Sequence, residues 1–388
     1  MLEKLSVRFS NLNFSYTLEA LSMHTNPSPF SDHLRCPTSK FDRGRDDRAT
    51  PVNEAGVRVL AEARSRVEPA YRAVVESFRA ELGHVVGYHV GWWDAEGRSD
   101  TGTGKAIRPA LVLAIAGAAT CVLDAGAIED AVTAAAAVEL VHDFTLLHDD
   151  VMDGDRLRRG RPTVWARFRI ASAVLAGDML LAAAVDLLAE RDRAATAVLT
   201  RAIRALCEGQ CANIGFEHAL EVDLSSCIRM AANKTGALLG AACELGALAS
   251  GATADDARRL DCFGRQLGLA YQLADDLLGI WGNPEMTGKP VYSDLARRKK
   301  SLPVVAALQS GSAAAGVLRR RYVSSAEITP DEFVDIADLV ERAGGRRWAE
   351  QHLARTCDAA REVLEADTLH PAGTEDLMAL VDLVAGWS

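Results

Sequence analysis

From Val52 onward, apolar residues recur three and four positions apart, and this sustained period limits the fold more than any other feature. The spacing predicts helices near 53–84, 107–122, 127–149, 171–190, 194–215, 224–250, 253–281, 300–309, 330–343 and 345–366. Between them lie turn signals: Gly97, Gly102-Thr103-Gly104, Gly160-Arg161-Pro162 and Gly282-Asn283-Pro284. Strand-like alternation and fixed-period repeats are absent from the sequence, and Ala and Leu outweigh aromatics. The expected fold is all-α, one helical domain over residues 53–388. Residues 1–52 carry Asn26-Pro27-Ser28-Pro29, a charged patch from Asp42 to Arg48 and no sustained period, and they read as a flexible N-terminal extension.

The formal net charge is −10 and no basic tail is present, which excludes nucleic acid as the main partner. Eight cysteines are scattered without a C-x-x-C pair. Cys207 and Cys211 share a helix face but lack a second ligand pair, so buried thiols in a reducing cytoplasm are expected rather than zinc or disulfides. The apolar segment from Leu111 is broken by Asp124, and no run is expected to span a membrane. The amino terminus lacks the basic region and apolar core of a secretory signal. A soluble, cytoplasmic protein is expected.

Acidic residues mark two of the helices. In Leu147-His148-Asp149-Asp150-Val151-Met152-Asp153, Asp149 and Asp153 are four apart and share a face. Two like charges so placed repel unless a cation lies between them, and oxygen-only ligands favour a hard ion such as magnesium. A solvated acidic helix end is the plain alternative, but acids at a C-terminal end oppose the helix dipole. Arg156, Arg158, Arg159 and Arg161 follow at once, with donor forks suited to phosphate oxygens. A second pair, Asp275-Asp276, is preceded by Gln272 at helical spacing. Paired acids on separate apolar helices suggest facing helices with metals between them, with a di-iron bundle as the competing picture. Gly104-Lys105-Ala106-Ile107-Arg108-Pro109 puts two cations at a loop-to-helix junction, without the spacing of a P-loop.

Together these motifs resemble the trans-isoprenyl diphosphate synthases, the polyprenyl synthetase family, over roughly residues 60–370. Gly-Lys-x-x-Arg-Pro (104–109), Asp-Asp-x-x-Asp (149–153), Arg-Arg-Gly-x-Pro-Thr (158–163), Gly-Asp (177–178), Lys-Thr (234–235) and Gln-x-x-Asp-Asp (272–276) stand in the family's order. The resemblance implies an isoprenoid-synthase-type helical bundle around a central cavity, usually a homodimer, condensing isopentenyl diphosphate with dimethylallyl, geranyl or farnesyl diphosphate. By this resemblance Lys105, Arg108, His142 and Arg159 hold isopentenyl diphosphate, and up to three Mg2+ ions lie on Asp149, Asp153 and Asp275. Arg158, Lys234, Thr235, Gln272 and Lys289 match contacts to the allylic diphosphate, and Lys299 matches a further lysine of the pattern. Asp150 and Asp276 join Asp149, Asp153, Asp275 and Lys234 in the expected catalytic set. His142 lies seven residues before Asp149, two turns along one stripe.

Gly279 stands where the family's second motif usually ends in a third aspartate, which is expected to weaken the third ion while leaving activity. Phe144 and Thr145, five and four residues before Asp149, are the expected floor for a growing product. A lone aromatic at the earlier position resembles the twenty-carbon pattern, so geranylgeranyl diphosphate is the expected product, with farnesyl or longer polyprenyl diphosphates as alternatives. A class I terpene cyclase and a non-catalytic partner subunit are the competing classes. The first is disfavoured by the Gly104–Pro109 motif with His142, the second by the intact first aspartate motif. The extension is expected to be dispensable for catalysis and free to dock on a partner, for which some bacterial relatives suggest an encapsulin shell.

Overall fold

The computed structural model describes residues 53–100, 104–120, 123–282, 291–323, 328–365 and 369–387. The extension, with its suggested encapsulin contact, and Lys289 lie outside the described residues. The first helix, α1 (Glu54–Glu76), is capped by Asn53, whose Oδ1 accepts from the Gly56 N–H at 2.8 Å. After a break at residues 77–79 comes α2 (Ala80–Val90), so the single segment expected at 53–84 is two helices. Then follow α3 (Ile107–Ala119) and the 28-residue α4 (Ala125–Met152). Asp124, which interrupts the apolar pattern, is the N-cap of α4 and accepts from the Ala127 N–H at 2.8 Å.

The chain continues through α5 (Val164–Phe168), α6 (Ile170–Ala189), α7 (Arg193–His218) and α8 (Leu224–Ala231). A five-residue π turn, Ala232–Gly236, joins α8 to α9 (Ala237–Ala249). A second 28-residue helix, α10 (Ala254–Trp281), precedes α11 (Ser293–Ala296), α12 (Leu302–Gln309) and α13 (Ala313–Val323). The last three helices are α14 (Pro330–Arg342), α15 (Gly345–Leu364) and α16 (Pro371–Ala385).

At the centre is α9, where every residue from Ala237 to Ala247 is buried, as a helix apolar on all sides requires. It packs on α3, α4, α7 and α10, and thereby holds the two motif-bearing helices, α4 and α10, in one frame. A smaller core of Ile280, Leu295, Val304, Leu318, Ile336 and Val340 ties α11–α14 to the end of α10. The helices that the periodicity left out are short, or begin with loop-like residues. Pro371 reads as punctuation, yet it stands in the first turn of α16, where its missing N–H costs nothing.

Two glycines set the position of the π turn. A Cβ on Gly209 of α7 would lie 2.4 Å from the Lys234 nitrogen, and one on Gly268 of α10 would lie 2.5 Å from the Gly236 Cα. Both helices therefore press against the backbone of the turn, at a separation that side chains would forbid.

One expectation is corrected here. Helix α6 is, by length and composition, apolar enough to cross a membrane, although no such run was expected. Its buried stripe, Ala173, Ala176, Gly177, Leu180, Ala184 and Leu188, faces the bundle. On the other side Ile170, Val174, Leu175 and Met179 are exposed in the protomer. Asp178 and Asp186 lie within this helix, so it is an apolar face with charges rather than an unbroken apolar rod.

Candidate active site

Helix α4 delivers the first acidic motif. The Asp153 N–H donates to the Asp149 carbonyl at 2.8 Å and closes the helix, and Gly154 (φ 67°) turns the chain away. A two-residue hairpin follows, β1 (Leu157–Arg158) against β2 (Arg161–Pro162), with Leu157 opposite Pro162. Its turn residues, Arg159 (φ 53°) and Gly160 (φ 76°), are both left-handed, as a tight two-residue hairpin demands. A non-glycine residue held there is strained, and such strain collects at functional sites.

Asp150 points the other way and is 2 % exposed. Arg158 grips it, with Nη2 at 2.7 Å and Nε at 2.9 Å from Oδ1. Two of the three guanidinium nitrogens of Arg158 are thus committed to Asp150, which makes the pair a brace between α4 and the hairpin. Asp150, expected in the catalytic set, and Arg158, expected on the allylic diphosphate, are placed in that brace. Arg161 is also engaged, donating to the Trp93 carbonyl at 2.9 Å and lying over the Tyr88 ring. Arg159 alone of the hairpin arginines turns toward Gly104, where a Cβ would meet its Nη2 at 3.1 Å.

The π turn joins the two acidic motifs. Lys234 Nζ lies 3.5 Å from Asp149 Oδ2. Its neighbour Thr235 donates to Gln272 Oε1 at 2.7 Å, and Gln272 Nε2 donates to Asp276 Oδ1 at 2.8 Å. Asp276 also accepts from Lys299 at 3.2 Å and from the Leu302 N–H at 2.9 Å, and it is 2 % exposed. Its oxygens are therefore occupied, and it anchors α12 and Lys299 to α10. Asp275 is half-buried. Burial lowers the Lys299 ammonium, but Asp294, Asp276 and Asp275 outweigh it and hold the group well above the ordinary lysine value. Across the mouth, Arg297 pairs with Asp155.

Asp149, Asp153 and Asp275 offer only carboxylate oxygens, the donor set of a hard cation. Burial raises the Asp149 carboxyl above its usual value; Lys234 opposes this and Asp153 adds to it. A cation at the pair would reverse that shift. No cluster of three or more metal-ligating side chains occurs among the described residues. The donor set therefore fits magnesium held through one or two carboxylates, with the remaining positions filled by phosphate and water.

A second pole is cationic. Ala106 (φ 56°) starts α3 from a left-handed conformation, with Lys105 before it and Arg108 after it. Arg64 of α1 donates to the Gly104 carbonyl and steadies this loop. A cavity bounded by Arg64, Tyr71, Gly104, Glu139, Asp143 and Arg159 opens alongside. Arg108 Nε and Glu139 Oε2 are buried without hydrogen-bond partners among the described residues. Burial and then Arg108 hold the His142 imidazolium well below its usual range, so His142 is neutral. Burial and Asp143 raise the Glu139 carboxyl to about 7, against the pull of Arg108. Asp143 behaves oppositely: although burial raises it, His89 at 3.4 Å and the Tyr71 hydroxyl at 2.7 Å hold it to about 2.

Arg64, Glu139, Asp143 and Asp294 were missed in the sequence. Glu139 and Asp143 did carry a signal, since they stand four apart inside an apolar helix beside His142. Arg64 carried none, being one of several charges on an amphipathic helix.

Below Asp149, Phe144 and Thr145 are each 8 % exposed. The Phe144 ring meets the His148 imidazole edge to face, centroids 4.8 Å apart. His148 packs on Gly177 of α6 and has Nε2 3.1 Å from the Val174 carbonyl. The Thr145 hydroxyl donates to the His142 carbonyl at 2.7 Å. At Gly279, a Cβ would lie 2.7 Å from Cγ of Asp294. The place of the missing third aspartate thus adjoins another carboxylate, 3.4 Å from Lys299.

A helical bundle presenting an acidic pole and a cationic pole is the frame of enzymes that work on prenyl diphosphates. The polyprenyl synthetase model matches residues 99–337, and the chain belongs to this family. It is 46 % identical over 341 residues to a geranylgeranyl diphosphate synthase of Mycobacterium tuberculosis, covering 85 % of this chain and 94 % of that protein. It is 45 % identical over 306 residues to a (2E,6E)-farnesyl diphosphate synthase of Mycobacterium bovis, covering 76 % and 84 %. A polyprenyl synthetase from Streptomyces coelicolor superposes with a TM-score of 0.79 at 43 % identity, covering 84 % and 98 %. A polyprenyl synthase from Caulobacter crescentus, solved with calcium and isoprenyl diphosphate, superposes at 0.75 with 29 % identity, covering 86 % and 97 %. The protein is an isoprenyl diphosphate synthase by family, and the two names leave product length open.

The folded protein holds the Glu139 proton more tightly than the unfolded chain, whose carboxyl titrates near 4.5. Between those values the unfolded state binds fewer protons, so this group makes stability fall as pH rises from 4.5 to about 7. Glu139→Gln is expected to flatten that decline, measured by urea unfolding at successive pH values. An unchanged slope between pH 5 and 7 would exclude this origin.

Proposed function

We propose that this enzyme condenses isopentenyl diphosphate head-to-tail with dimethylallyl, geranyl and farnesyl diphosphates, using Mg2+, with geranylgeranyl diphosphate as its main product. The observation that carries the reading is the continuous path from Asp149 through Lys234 and Thr235 to Gln272 and Asp276. It ties two acidic motifs into one charged wall, opposite in sign to the Lys105–Arg108–Arg159 pole.

Asp149, Asp153 and Asp275 would hold up to three magnesium ions, which would supply charge neutralisation to a departing allylic diphosphate. Lys234 sits against Asp149 at 3.5 Å and adds a cation at the leaving group. Thr235 and Gln272 are fixed by their mutual hydrogen bond, which holds Lys234 in register with the second acidic motif. Lys105, Arg108 and Arg159 hold the diphosphate of isopentenyl diphosphate, and a neutral His142 donates a hydrogen bond without adding charge. Arg108 has a buried nitrogen waiting for an acceptor, which a diphosphate oxygen provides. The final proton leaves with the departing diphosphate. The apolar interior built on α9 keeps water from the allylic cation.

Asp149→Ala and Asp275→Ala should each cut turnover by orders of magnitude with helix content intact, measured by product formation and far-UV circular dichroism. Near-normal magnesium-dependent turnover in Asp149→Ala would refute the site.

Product length follows from the wall below Asp149. One helical turn advances about 5.4 Å, close to one isoprene unit, so Phe144 bounds the chain and the small Thr145 does not. Farnesyl diphosphate is the alternative product, and the Phe144 ring that bounds the chain is braced by His148. Phe144→Ala should lengthen the products and Thr145→Phe should shorten them to farnesyl diphosphate. The check is chromatography of the dephosphorylated products, and two wild-type distributions would place the floor elsewhere.

We also propose a homodimer through α6, whose exposed Ile170, Val174, Leu175 and Met179 form an apolar face that a second copy would cover. Leu175→Glu should dissociate the dimer in sedimentation velocity; a wild-type monomer would end this assignment.

A further inference from the structure

Lys105 is exposed, and its ammonium lies 3.9 Å from the centre of the Trp387 ring and 5.9 Å from that of Tyr271. The two rings meet at 83° with centroids 5.2 Å apart, so they form two walls of a corner around one cation. Neither ring belongs to a motif of the sequence. Tyr271 precedes Gln272 on α10, while Trp387 follows α16, beyond the matched residues 99–337. Helix α16 is docked on α1, α3, α10 and α15, and Trp387 donates from its backbone N–H to the Val384 carbonyl at 3.3 Å. The half-buried indole is therefore carried to the mouth of the cationic pole by a packed helix.

An aromatic face orders an ammonium in a particular way. A carboxylate at that place would fix the lysine but cancel its charge, and would compete with an incoming diphosphate. A ring quadrupole attracts the cation without neutralising its charge. A free lysine, by contrast, samples many rotamers and loses that freedom when it binds. An aromatic corner removes part of that loss beforehand.

We propose that Trp387, with Tyr271, is a positioning residue that preorganises Lys105 for the diphosphate of the homoallylic substrate and so sets the affinity for isopentenyl diphosphate. The inference rests on the reading of Lys105 as a diphosphate ligand. It makes Trp387 selective between substrates: it acts on the isopentenyl diphosphate pole and not on the allylic pole beside Lys234. Trp387 touches Lys105, and it enters no bond-making step.

The test is steady-state kinetics of the full chain with magnesium, varying isopentenyl diphosphate and farnesyl diphosphate in turn. For Trp387→Leu the KM for isopentenyl diphosphate should rise about fivefold, with kcat and the KM for farnesyl diphosphate within about twofold of wild type. Trp387→Phe, which keeps a ring face, should restore most of the affinity. If Trp387→Leu loses helix content, Trp387→Gln, better suited to a half-exposed position, takes its place with the same expectation. An unchanged KM for isopentenyl diphosphate overturns the proposal, as does a loss spread equally over both substrates and kcat. Failure of Trp387→Phe to recover affinity overturns it too, since the ring face is then irrelevant. A wild-type enzyme forming no product from the two substrates would instead overturn the proposed function.

Discussion

Everything at the site depends on one local departure from α-helical geometry, the π turn at Ala232–Gly236. In a regular helix, successive side chains are about 100° apart around the axis. The widened turn lets Lys234 reach Asp149 on α4 while Thr235, the next residue, reaches Gln272 on α10. Such single-turn widenings are costly and recur at functional sites. Here the cost is met by packing, because Gly209 and Gly268 allow α7 and α10 to close on the turn from different helices. Enlarging either glycine would displace the turn and, with it, both acidic motifs.

Electrostatics divides the site into parts that are finished and parts that are not. Asp150 with Arg158, Asp143 with Tyr71 and His89, and Asp276 with Gln272, Lys299 and Leu302 have their oxygens paired inside the protein. Buried charges of this kind are tolerated only with partners. Glu139 and Arg108 are the opposite case: Glu139 Oε2 and Arg108 Nε are buried without hydrogen-bond partners among the described residues, and burial pushes each group toward its neutral form. Groups left in that condition by the fold are where a ligand of complementary charge gains most. The paired carboxylates hold the frame, and the strained ones face the chemistry.

The all-helical class was legible because the 3.6-residue period repeats over most of the chain, and Asp149, Asp153 and Asp275 were legible because acids interrupt apolar helices. Other features were not. Asp150 and Asp276 share the motifs with their neighbours, and nothing in sequence spacing tells a carboxylate that turns inward from one that turns to the mouth. The left-handed Arg159 could be suspected from the following Gly160, but its direction toward Gly104 depends on a hairpin of two-residue strands, too short for any alternation to reveal. Arg64 and Trp387 come from far along the chain, one on a helix of ordinary pattern and the other just past the end of one. The exposed apolar side of α6 was not legible, because a sequence period shows that a face is apolar and not what covers it.

The carboxylate beside Gly279 has a different mechanical character from the others. Asp149 and Asp275 are built into long helices and cannot leave without unwinding backbone. Asp294 sits on a four-residue helix and stands beside Gly279 of the second motif, 3.4 Å from Lys299. The negative charge there is thus held by tertiary docking, through the core that Leu295 of the same helix shares with Ile280 of α10. A helix-borne aspartate makes the local potential a constant of the fold. Transferring that charge to a docked segment makes the potential there a product of tertiary packing, which a change in the Leu295 core would alter while the sequence of α10 stayed the same.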